Sequence, residues 1–196
     1  MNFGFTEEQN LLKEQVQRFM KEACPMTRVR EITTNETSFD QALWQQAAEL
    51  GWLGLTIPEN HGGLGLKWID LIVVLEAAAE GLCPLPIASH ALASTAILHC
   101  ASEDQKSRWL PAMASGEAVV TIGLYDEANW IAAEAVTAKA TVDGDKVTLH
   151  GKKPFVNDAL AANYMLLAVQ GPDGLALAAV GLSLIHISEP TRPVTI

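Results

Sequence analysis

The chain has 196 residues, 49 % of them hydrophobic and 18 % charged, with a formal net charge of −10. That much apolar material can fill a packed core, and the length allows one large domain or two small ones. The acidic balance argues against nucleic acid as a partner, because backbone-phosphate binding needs clustered Lys and Arg. Cys24, Cys83 and Cys100 are too widely spaced for a disulfide framework or a zinc site and read as buried free thiols. The most apolar stretch, Ile69 to Ala79, is broken by Asp70 and Glu76, so no membrane span is expected. The opening MNFGFTEEQN lacks the basic-then-apolar order of a signal peptide, which reads as a cytoplasmic chain.

Helices are predicted first. Thr6 and Gln9 make a capping box, and Leu11, Leu12, Val16, Phe19 and Met20 share the face behind it until Pro25 ends the run. Asp40 caps a second helix carrying Leu43, Trp44, Ala47 and Leu50, with Gly51 as its stop. A glycine-rich loop follows, then a helix from about Lys67 to Glu80, apolar nearly all round and therefore expected at the centre of a helical layer. Pro84 and Pro86 open another helix running to about Ala101, and Ser102 with Gln105 caps one ending near Gly116.

Past Gly116 the period changes. Residues 118–125, 135–142, 146–150 and 163–169 are short, β-branched runs bounded by turns, and Asp143-Gly144-Asp145 signals a hairpin. Helices followed by strands, without a GxGxxG or P-loop motif, predict an α+β chain rather than a Rossmann fold. The expected domains are an all-α helical bundle over 1–116 and a partial antiparallel β-domain over 117–181. The composition shifts at LSLIHISEPTR (182–192), which is similar to a translated sequencing adapter. Residues 182–196 are read as a non-native tail, and the coding DNA decides that point.

Three segments in order resemble the acyl-CoA dehydrogenase family: ELGWLGLTIPENHGGLGL (49–66), DQKSRWLPAMASGEAVVTIGL (104–124) and GKKPFVNDALAANYMLLAV (151–169). With the FTEEQ opening they cover about residues 3–180. The resemblance implies FAD as cofactor, an acyl-CoA thioester as substrate, an electron-transfer acceptor, and a homo- or hetero-oligomer at full length. It also implies a C-terminal helical bundle carrying the catalytic base. No base is therefore assigned here, and the chain alone is expected not to dehydrogenate acyl-CoA and to bind FAD weakly or not at all. A middle domain that ends before its barrel closes is expected to aggregate through its open edge.

Carried over by position, Phe155 takes the place of an aromatic that packs on the flavin ring. Asn157 takes that of a hydroxyl residue bonded to the ring nitrogen that receives hydride. Read without the family, Phe155 is a β-core aromatic and Asn157 a turn residue, and both readings stand. In 122–130 the family's Gly-Ser-Asp turn is missing from IGLYDEANW. Tyr125 and Glu127 sit near the cofactor-binding positions, while Asp126 reads as a solvated acidic turn. The glycines of 51–65 serve either a helix-to-helix connection or ligand contact, and Trp109 reads as core packing. The histidines show no triad or metal spacing. The resemblance leaves two alternatives beside the dehydrogenase: a non-catalytic partner subunit of a heteromeric enzyme, and a flavin monooxygenase or nitroalkane oxidase on the same fold.

Overall fold

The computed structural model describes residues 4–126, 133–144 and 146–182, together with the backbone of 194–195. They form two compact units, Met1–Glu117 and Ala118–Ile196. An α unit is followed by a β unit.

The first unit contains α1 (Glu7–Ala23), α2 (Met26–Thr34), α3 (Gln41–Glu49), α4 (Trp68–Glu80), α5 (Ile87–Cys100) and α6 (Glu103–Ala114). The Thr6/Gln9 and Ser102/Gln105 boxes both form, and the Asp40 carboxylate accepts from the Leu43 N–H at 3.0 Å. α2 was not expected: Pro25 ends α1 and also stands as the N-cap of a helix that buries Val29 and Ile32. Lys13 on α1 pairs with Glu76 on α4 at 2.8 Å, and Gln9 donates to Asp70 at 2.9 Å. At the core, Trp44 donates from Nε1 to the Gly116 carbonyl at 3.0 Å and meets the His90 ring edge-on at 5.1 Å.

α4 departs from its expectation. Leu71, Val73, Val74, Ala77 and Ala78 are buried, but Trp68, Ile69 and Ile72 remain exposed. The helix is apolar nearly all round, yet α1 and its neighbours cover only part of it. Cys100 is likewise exposed rather than buried, since it ends α5. Trp109 is half-buried.

Residues 51–66 fold back on themselves. Leu64, Gly65 and Leu66 donate their N–H groups to the carbonyls of Gly54, Ile57 and Leu55 at 2.9, 2.8 and 2.8 Å. Gly51 and Gly62 take φ of +78° and +81°, where a side chain is penalised. At Gly63 a Cβ would lie 2.0 Å from the Ile57 carbonyl oxygen, so close backbone approach requires glycine there.

The second unit carries β1 (Val120–Gly123), β2 (Lys139–Asp143), β3 (Lys146–His150), β4 (Tyr164–Gly171), β5 (Gly174–Gly181) and β6 (Val194–Thr195). The order is β1-β4-β2-β3-β6, with β5 also on β4. β2–β3 is antiparallel as expected and β4–β5 is antiparallel too, but β1 runs parallel to β4 from Val120↔Tyr164 to Gly123↔Leu167. The sheet is therefore mixed. Hairpins force antiparallel neighbours, whereas the long connection from β1 to β4 permits a parallel crossover. β5 carried no β-branched signal in GLALAAVG until Val180; the tight Gly171-Pro172-Asp173-Gly174 turn produces it. Of the tail read as non-native, residues 183–193 and 196 lie outside the described residues. Val194 and Thr195 pair with Leu149 and Thr148 of β3.

Candidate functional site

The end of β1 and the segment 151–158 are joined in the β unit. Gly123 closes β1 without a side chain, and a Cβ there would meet Leu167 at 2.9 Å and Val156 at 3.1 Å. The segment can lie this close to the strand only because that position is glycine.

Beyond Gly123, Asp126 is buried, and this corrects its reading as a solvated turn residue. It is 4 % exposed and its partner Lys153 has a side chain 7 % exposed, with Nζ 2.6 Å from Oδ1. The other oxygen, Oδ2, accepts from the N–H and the hydroxyl of Thr137 and, at 3.0 Å, from the N–H of Ala138. Lys153 also donates to the Leu124 carbonyl at 3.5 Å. Burial alone would raise the Asp126 pKa; the Lys153 ammonium and the Thr137 and Ala138 donors outweigh it and hold the carboxyl at about 2. An isolated buried charge is costly, so the lysine and the three donors together make Asp126 tenable.

A second tie lies further along the segment. The buried Thr121 hydroxyl of β1 donates to the Asn157 carbonyl at 2.7 Å. Between the two ties, Phe155 adopts φ +58° and is 75 % exposed. Asp158 follows at φ +54°, its carbonyl accepting from Ala161 and Ala162. A bulky residue in left-handed conformation costs roughly 1–3 kcal/mol and persists only where its surroundings over-determine it.

Of the sequence-predicted site residues, Phe155 and Asn157 share this segment, both exposed. Phe155 is not a β-core aromatic. Tyr125 is half-buried and directly precedes Asp126, so the ion pair links its strand end to the segment. Glu127 lies outside the described residues. Sequence reasoning passed over Lys153 and Thr121 and misread Asp126. An acidic residue at a strand end and a lysine in a Gly-Lys-Lys run carried a signal of opposite charges, but nothing in one dimension paired them.

The described residues thus form an all-α unit followed by a mixed β unit, an α+β architecture. The chain matches the family model described as "Acyl-CoA dehydrogenase, N-terminal domain" over residues 6–117. It belongs to the acyl-CoA dehydrogenase family. Acyl-CoA dehydrogenase FadE12 of Mycobacterium tuberculosis is 32 % identical over 127 residues, 64 % of this chain and 33 % of that protein. Mitochondrial isobutyryl-CoA dehydrogenase of Dictyostelium discoideum is 28 % identical over 180 residues, 88 % of this chain and 43 % of that protein. Among solved structures, the ChsE4-ChsE5 complex of M. tuberculosis matches with a TM-score of 0.81 at 26 % identity, covering 93 % of this chain and 49 % of that one. A glutaryl-CoA dehydrogenase of M. smegmatis in complex with FADH2 shares the fold, with a TM-score of 0.79 at 19 % identity over 97 % of this chain and 52 % of that one. The chain thus spans about half or less of the length of these relatives. No helix among the described residues is long and apolar enough to cross a membrane.

Proposed function

We propose that this chain supplies the helical and β portions of an FAD-dependent oxidoreductase that dehydrogenates an acyl-CoA thioester between its α and β carbons. The observation that carries this reading is the outward Phe155 ring, held at positive φ beside an exposed Asn157, in a chain of this family. An isoalloxazine is flat and largely apolar, and an exposed aromatic face is what stacks with it. Asn157 has an amide N–H able to donate to a ring nitrogen, and Tyr125 has a phenol able to donate nearby. These residues fit the group. When bound, FAD would accept the hydride; the residues named here bind and orient its ring, and no base is assigned in this chain. The acyl-CoA substrate, an electron-transfer acceptor and an oligomeric full-length enzyme belong to the same proposal.

The test is a titration of the chain with FAD, followed by NMR of the Phe155 ring and the Asn157 amide. A platform exposed on one side covers only part of a flavin, so binding is expected to be weak, with a Kd of about 0.1 mM or above. Shifts confined to 121–126 and 151–158, lost in Phe155→Ala, are the expected result. No shift at either residue at millimolar FAD would sink the reading.

The partner-subunit alternative rests on one specific observation, the absence of a Gly-Ser-Asp turn from 122–130, which fits a divergent catalytic branch equally well. A chain that stays colourless while co-purifying with a flavin-bearing homologue would support that alternative over the first.

A further inference from the structure

Two ties hold the segment around Phe155, and they lie on either side of it. Lys153, two residues before, is locked to Asp126 at 2.6 Å with both side chains buried. Asn157, two residues after, has its carbonyl held by the buried Thr121 hydroxyl at 2.7 Å. Both ties end on one support: Thr121 lies in β1, and Asp126 follows three residues beyond its last residue, Gly123. Asp126 is itself anchored by Thr137 and Ala138 as they lead into β2. The peptide between the ties is held at both ends, and within it Phe155 takes a left-handed conformation of the kind that persists where the surroundings over-determine it. Such an arrangement fixes an exposed ring before any ligand arrives.

We infer that residues 153–157 form a mount clamped at two points, that it presents the Phe155 ring to a planar ligand, and that Asp126, Lys153 and Thr121 are its positioning residues. The inference rests on the reading of Phe155 as a flavin contact. It goes beyond that reading by assigning roles to three residues that need not touch the ligand.

The experiment compares the full chain with Asp126→Asn, Lys153→Met, Lys153→Arg and Thr121→Val. Amide hydrogen exchange is read over 152–158, and the FAD-induced shift of the Phe155 ring is read by NMR. Asp126→Asn, Lys153→Met and Thr121→Val are each expected to speed exchange in 152–158 by about tenfold or more, while the β4–β5 amides keep their protection. The same variants are expected to reduce the Phe155 shift at a given FAD concentration, and Lys153→Arg, which keeps the charge, is expected to restore both. Unchanged exchange in Asp126→Asn and Thr121→Val overturns the clamp. A loosened segment with an undiminished Phe155 shift overturns the positioning role. Should Asp126→Asn fail to fold, Thr121→Val decides, since it removes one hydroxyl and keeps the shape. If the unsubstituted chain shows no FAD-induced shift at all, the flavin reading falls, and the exchange measurements still judge the clamp.

Discussion

His90 and Asp126 both have lowered pKa values in the folded chain, and each couples protonation to the folding of its own unit. The His90 ring is buried against Trp44, with Nε2 3.1 Å from the Met113 carbonyl. Burial pushes its pKa down to about 4, against the opposing effect of that hydrogen bond. The folded value lies below the unfolded one, so the unfolded chain binds more protons between pH 6.5 and about 4. Stability is complete above that window and falls as pH drops through it, by about 3 kcal/mol in the helical unit. Denaturant midpoints measured by Trp fluorescence should show this slope, and His90→Leu should flatten it. Asp126 follows at lower pH. Its folded pKa of about 2 lies below the ordinary 3.8, so its contribution is present above pH 3.8 and disappears toward pH 2. After allowing for screening by solvent, this is about 1–2 kcal/mol, lost from the β unit. Circular dichroism of the strands during acid titration, compared with Asp126→Asn, checks it. Neither slope could be read from the sequence, because a histidine or an aspartate acquires its shift only from what buries it.

At the scale of elements, glycines separate those that a packed backbone demands from those that a turn prefers. Gly63→Ala places a methyl carbon on the Ile57 carbonyl and within 2.6 Å of the Gly54 oxygen. The expected loss is roughly 2–4 kcal/mol, visible as a lowered melting temperature of the helical unit. Gly144→Ala, at φ +58° with open space around it, should cost only about 1 kcal/mol. The caps of α1, α3 and α6 were legible because a cap is a local affair of three or four residues. α2 was not, since its apolar pair, Val29 and Ile32, is too short a pattern to outweigh the Pro25 break. The parallel pairing of β1 with β4 was equally hidden, because crossover direction depends on what the intervening chain packs against.

Over the whole molecule, the edges of the sheet matter most. Among the described residues, β5 pairs with β4 alone, and Leu175 is 53 % exposed on it. An unpaired strand edge carrying apolar side chains is a template for association. Leu175→Lys should therefore lower light scattering of concentrated protein without lowering the melting temperature of the sheet. A melting temperature reduced along with scattering would instead mean that Leu175 contributes to the fold.

By itself the sequence determined the order of helices before strands, five helix starts, the β2–β3 hairpin and a family likeness strong enough to direct attention to Phe155 and Asn157. These follow from local periodicity, capping and turn chemistry, which act over a few residues. Only the tertiary structure decided that Asp126 and Lys153 share one buried ion pair, that Thr121 holds the Asn157 carbonyl, and that Phe155 faces outward in a left-handed conformation. The reason is that desolvation and clamping depend on groups far apart in the chain, and those meet only once the sheet has formed.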